Sequence, residues 1–163
     1  MKTATTTVAL TLILLGVGSS AAQGQESGKG GAVIVAVPET IEWAPAPASL
    51  PEGAELAVLE GDPTQPGEFT MRLRMPANYT IPPHFHRAPE HVTVIQGTFH
   101  VGMGDTIDRS AGSGLPEGTL GVIPPGMRHF AWTEDDDVII QLHGNGPWGI
   151  YYVNVEDDPR RGS

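Results

Sequence analysis

Apolar and polar residues alternate with a period of two from Phe69 to Met75: Phe69, Met71, Leu73 and Met75 are separated by Thr70, Arg72 and Arg74. Successive strand residues point to opposite faces, so this spacing predicts a strand with one buried face. Shorter apolar runs follow the same logic at Leu56–Leu59, Val92–Gln96, Phe99–Val101, Leu120–Ile123, Phe130–Trp132, Val138–Leu142 and Ile150–Val155. An earlier run, Ala32–Val37, reads as a strand stopped by Pro38. Gly61-Asp62-Pro63, Pro124-Pro125-Gly126 and the acidic turn Glu134–Asp137 punctuate the series, and Asp105–Gly118 reads as a loop. No stretch sustains a 3.6-residue period. Many short strands at regular spacing predict an all-β sandwich or barrel. Phe69, Met71, Met75, Val92, Val94 and Phe99 are its expected core.

Composition agrees with that picture. The 163 residues include 21 Gly and 15 Pro, which disfavour long helices. The length suits one domain. Nine Lys and Arg against nineteen Asp and Glu give a formal net charge of −10, so no basic stripe is available to neutralise nucleic-acid phosphates. There is no Cys, which removes disulfides, thiolate nucleophiles and zinc fingers. Any metal must be held by His, Asp or Glu.

The N-terminus has the layout of a secretory signal. Lys2 is followed by the apolar run Val8–Val17 and then by Gly18-Ser19-Ser20-Ala21-Ala22, with Ser20 and Ala22 in the −3 and −1 places of a cleavage site. Ten apolar residues are too few to span a bilayer, which needs ~20. The expectation is a signal peptide over residues 1–22, export to a periplasm or beyond, and no membrane span in the mature form. Residues 23–52 read as a flexible leader and an extended segment, with the Pro-rich stretch Trp43–Pro51 lying on the surface. Residues 53–163 carry the folded domain.

Candidate chemistry is concentrated in histidine. The segment Pro82-Pro83-His84-Phe85-His86-Arg87-Ala88-Pro89-Glu90-His91 puts His84 and His86 on one strand face, with Phe85 pointing away. Pro124-Pro125-Gly126-Met127-Arg128-His129 places another His just after a tight turn. Imidazole nitrogen and carboxylate oxygen are ligands for divalent transition metals, and three His plus one Glu leave coordination positions open. By itself the H-x-H pair also fits two surface histidines on an edge strand. Gln141 and His143, two apart on a late strand, share a face that lines the barrel or meets solvent; in the first case His143 would move a proton and Gln141 would orient. His91 has the opposite parity to Glu90 and reads as a surface or inter-subunit residue. His100 reads as a partly buried structural histidine. Trp132, Trp148, Tyr151 and Tyr152 read as core or dimer contacts.

The full spacing resembles the cupin superfamily. Its first motif, G-x5-H-x-H-x3-E-x6-G, is met by His84, His86, Glu90 and Gly97, with Asn78 where the first Gly is expected. Its second, G-x5-P-x-G-x2-H-x3-N, is met by Gly118, Pro124, Gly126 and His129, with Thr133 in place of Asn. Neither departure removes a ligand position, and Asn tolerates positive φ better than most residues. The resemblance implies a double-stranded β-helix, or jelly roll, with His84, His86, Glu90 and His129 holding one divalent transition metal (Fe, Zn, Mn or Ni) in one mouth of the barrel. It also implies a small-molecule ligand and, by analogy, a homodimer. One fold hosts many chemistries, so three readings follow. They are a dioxygenase-like oxidoreductase, a metal-dependent isomerase, lyase or hydrolase, and a non-catalytic metal or small-ligand binding module.

Overall fold

Strand β3 (Gly67–Met75) shows what the alternation dictates, with Phe69, Met71, Leu73 and Met75 buried and the residues between them on the other face. The computed structural model describes residues 33–161. The expected signal segment 1–22 and the leader as far as Ala32 lie outside the described residues. The remaining strands in chain order are β1 (Ala44–Pro45), β2 (Glu55–Glu60), β4 (Thr80–Phe85), β5 (Glu90–Gln96), β6 (Phe99–Met103), β7 (Ser113–Leu115), β8 (Leu120–Ile123), β9 (His129–Trp132), β10 (Val138–Gly146) and β11 (Tyr151–Tyr152). They build two antiparallel sheets, one in the order β1-β2-β3-β10-β5-β8 and the other β11-β4-β9-β6-β7. This is the all-β barrel expected from the strand spacing and the jelly roll that the cupin resemblance implies. Apart from the strands, the described residues hold four short 3-10 turns and no α-helix. No described helix is long and apolar enough to cross a membrane.

The core lies between the sheets. Phe69, Met75, Ile140, Val94 and Val138 are almost completely shielded from water, and burial of each such side chain stabilises the fold by roughly 1.5–3 kcal/mol. Cross-strand rows tie the first sheet together. Met71, Leu142 and Val92 stand opposite one another on β3, β10 and β5, and Leu73, Ile140 and Val94 form the next row.

The two substitutions in the motifs are both explained by local structure. Asn78 has φ 58°, the left-handed conformation that the motif's Gly would take. Thr133 is fully buried. Its Oγ1 donates to the Pro76 carbonyl (2.6 Å) and accepts from the Tyr79 amide (2.8 Å), joining the end of β9 to the β3–β4 turn. Gly97, also left-handed, has no room for a Cβ, which would sit 2.8 Å from the Asp137 carbonyl oxygen.

Three expectations are corrected. Of the strand expected at Ala32–Val37, the described part Val33–Val37 forms none: it has no partner strand among the described residues, Val33 and Val35 are exposed, and a 3-10 turn begins at Pro38. The Asp105–Gly118 loop contains a 3-10 turn (Arg109–Ala111) and β7. The Pro-rich segment does not simply run over the surface. β1 pairs with β2, Leu50 packs against the core, and the hydroxyls of Tyr79 and Tyr152 donate to the carbonyls of Pro51 and Ser49. Burial pushes the pKa of both tyrosines up, so they stay protonated donors.

Candidate metal centre

Four side chains reach one end of the interior from three parts of the chain. His84 and His129 face each other across the β4–β9 pair. The pairing slips between Ile81 and His84, and this bulge brings both of them to the inner face although they are three residues apart. His86 follows the end of β4. Phe85, between the two histidines, stacks on Tyr151 with ring centroids 5.5 Å apart. Glu90 opens β5 in phase with buried Val92 and Val94. All four are at least nine-tenths buried.

The three imidazoles share an orientation device. The Nδ1–H of His84 donates to the Pro82 carbonyl (2.7 Å), that of His86 to the Gly149 carbonyl (2.9 Å) and that of His129 to the Met127 carbonyl (3.0 Å). A carbonyl can only accept, so each Nδ1 carries the proton and each neutral ring keeps its Nε2 lone pair for another partner. Ligand atoms of the three rings lie within 4.8 Å of one another. Glu90 Oε2 lies 3.1 Å from His129 Nε2 and 3.5 Å from His86 Nε2. These are ion-pair distances, yet His86 Nε2 and Glu90 Oε2 are both buried without a hydrogen bond. At these two buried atoms acceptor therefore faces acceptor, an arrangement that costs desolvation unless a cation occupies the common point. The donor set fits a divalent transition metal, and the carbonyls hold the rings in the tautomer such a metal needs.

Electrostatics points the same way. Burial, with the neighbouring His129 and His86 adding to it, holds the His84 pKa well below the usual imidazole range. Burial also lowers that of His86, although Glu90 opposes the change. Both rings are thus kept neutral and ready to ligate at neutral pH.

A cavity of about 230 Å³ adjoins the cluster. Met71, Leu73, Ile140 and Leu142 of one sheet, with Ile81, Phe99 and Ala131 of the other, form most of its wall. Pro47, Ser49 and Leu50 of the Pro-rich segment complete the wall, with Pro63, Thr64, Trp148, Gly149 and Ile150. Among the described residues, its only ionisable side chains are the three histidines and Glu90.

Gln141 and His143 do not line this cavity. On β10 the inner positions belong to Ile140 and Leu142, so Gln141 and His143 fall on the outer face. Gln141 Oε1 accepts from Arg72 Nε (3.1 Å), and His143 is exposed and stacks on His91 at 4.7 Å. His91 is accordingly an outer-face residue. His100 stacks on Trp132 at 5.0 Å, half-buried and away from the cluster. Trp148, expected in the core or at a dimer contact, does pack against the core; what the sequence reading missed is its place beside the ligands. Its ring stacks on His86 at 4.2 Å and meets Phe69 at 5.7 Å, so it forms both cavity wall and ligand support. It also missed the carbonyls. Those of Pro82 and Met127 each stand two residues before the histidine they orient, a local signal, whereas Gly149 is distant in sequence.

Comparison with known proteins bears on the family and the fold. The family described as ChrR Cupin-like domain matches residues 32–148. Among solved structures, the polyketide cyclase RemF from Streptomyces resistomycificus superposes with a TM-score of 0.64 at 16% identity, covering 78% of this chain and 90% of that one. A cupin 2 conserved barrel domain protein from Rhodopseudomonas palustris gives 0.58 at 15% identity, covering 77% and 89%. The DMSP lyase DddQ from Ruegeria pomeroyi gives 0.52 at 19% identity, covering 67% and 58%. No curated protein matches in sequence.

Proposed function

Since the chain belongs to the ChrR cupin-like domain family of the cupin superfamily, we propose that it is an exported metal-dependent enzyme acting on a small molecule. In this reading His84, His86, Glu90 and His129 hold one divalent transition metal. The observation that carries it is the set of three Nδ1–H donors fixed to carbonyls, with the remaining acceptors of His86 and Glu90 left unpartnered in a buried site. The metal would supply a Lewis acid and, where redox-active, the electrons of dioxygen chemistry. The chain's own residues fix the ligand orientation and shape the adjoining cavity.

The reaction class we favour is a dioxygenase-like oxidation. Two structural neighbours, a cyclase and a lyase, suggest a second reading, in which the metal polarises a substrate that a protein base then deprotonates. The composition of the cavity weighs against it. His143, the proton carrier that reading would use, is on the outer face, and among the described residues no other acid or base lines the wall beyond the four ligand candidates. Oxidation at a redox metal makes no such demand on the protein. Residues 1–22 act in this proposal as a signal removed on export. A homodimer forms along an edge strand, for which the exposed Leu120 and Val122 of β8 are the support.

Metal analysis of protein purified from its native host, beside the His86→Ala variant, tests the assignment. The parent should hold one equivalent of a transition metal and the variant almost none. Full metal content in His86→Ala contradicts the proposed centre.

A further inference from the structure

The two ends of the interior differ in chemistry. At one end stand the three imidazoles and Glu90. From Glu90 along β5 the next inward positions belong to the row Val92–Leu142–Met71, and the one after that to Val94–Ile140–Leu73. On the facing sheet the His84–His129 pair is followed by Ile81 and Ala131. Inward positions on a strand recur every ~7 Å, so the apolar floor extends for one to two such steps beyond the ligands. Among the described residues, the side-chain hydroxyls in the lining are those of Ser49 and Thr64, and no Lys or Arg lines it.

Resting on the metal-centre reading above, we infer that the substrate is a small molecule with one chelating oxygen head and an apolar body about one ring or a short alkyl chain long. The head is directed at the metal, because no cationic side chain in the cavity offers an alternative partner for it. The body lies along the Leu142 and Ile140 rows. A polyhydroxylated body is rejected, since its hydroxyls would lose water and find hydrocarbon in return. A second charged group is rejected for the same reason. The volume of about 230 Å³, below the ~300–1,000 Å³ of ordinary ligand sites, limits the body to a short one.

Two six-carbon 2-hydroxy acids with the same head test this: 2-hydroxyhexanoate, with a plain alkyl tail, and gluconate, with a hydroxylated one. The full chain is loaded with Co(II), and each acid is titrated by calorimetry and by the visible absorption of the metal. The expected result is perturbation of the Co(II) spectrum by 2-hydroxyhexanoate, with a dissociation constant at least ~10-fold below that of gluconate. In Ile140→Gln, which sets an amide in the apolar floor, that preference should shrink. Equal binding of the two acids, tighter binding of gluconate, or binding of neither overturns the substrate inference and leaves the metal centre standing. Failure to take up stoichiometric Co(II) overturns both.

Discussion

Glu90→Gln provides a sharp test of why the acidic residue is buried. In the metal-free protein the carboxylate oxygen is 3.1 Å and 3.5 Å from two imidazole nitrogens whose protons are committed elsewhere. It is an unsatisfied acceptor facing acceptors, a situation that costs about 1–3 kcal/mol. The amide of Gln keeps the shape but adds a donor, which can reach a lone pair of His129 or His86. The metal-free variant should therefore be more stable than the parent by about 1–2 kcal/mol, or roughly 4–8 °C in Tm for a domain of this size. With metal the order reverses, because an anionic ligand has been exchanged for a neutral one. Thermal unfolding followed by circular dichroism at pH 8, in chelator and then with one equivalent of Zn(II), measures both signs. A metal-free Glu90→Gln protein less stable than the parent would refute the reasoning: Glu90 would then be held by bonds it already makes.

Acidification should destabilise the metal-free protein. The folded-state pKa values of His84 and His86 are lowered by burial, so below about 6.5 the unfolded chain binds more protons than the folded one and stability falls with pH. Urea midpoints should therefore drop between pH 7.5 and 5.5, and a rise over that window contradicts the burial argument. Thr133→Val removes the hydroxyl that joins Pro76 and Tyr79 and should cost about 1–3 kcal/mol in urea titrations, with metal stoichiometry unchanged. His143→Ala and Gln141→Ala should each retain full metal content and ligand binding, as outer-face residues; loss of either property by metal analysis or calorimetry would return them to the site.

The strands and the convergence of the histidines were legible because both depend on fixed periods. Alternation from Phe69 to Met75 named the buried face of β3, and the motif gaps isolated the three histidines that the fold brings within 4.8 Å of one another. The same alternation contained the correction to Gln141 and His143. Ile140 and Leu142 occupy the inner phase of β10, so their polar neighbours had to face out; the chemical appeal of a His beside a Gln obscured a parity already set by the aliphatic residues. The bulge in β4 was not legible, since it reflects how β4 pairs with β9 rather than any single residue type. Nor was the inward role of Pro47, Ser49 and Leu50, because a run of Pro and Ala has no period that tells which side is covered. The strand expected up to Val37 fails for a related reason: a β-favouring composition makes no strand without a neighbour to complete its hydrogen bonds.

Retaining the ion and selecting what lies beside it fall to separable stretches of polypeptide. The imidazoles and the acid come from positions 84 to 129, whereas part of the cavity wall is a proline-rich strap at 47–51, whose Ser49 and Pro51 carbonyls accept from two tyrosine hydroxyls. Exchanging that strap would reshape the chamber without touching the chelating groups. Evolution or an engineer could thereby change the guest while the inorganic centre stayed constant.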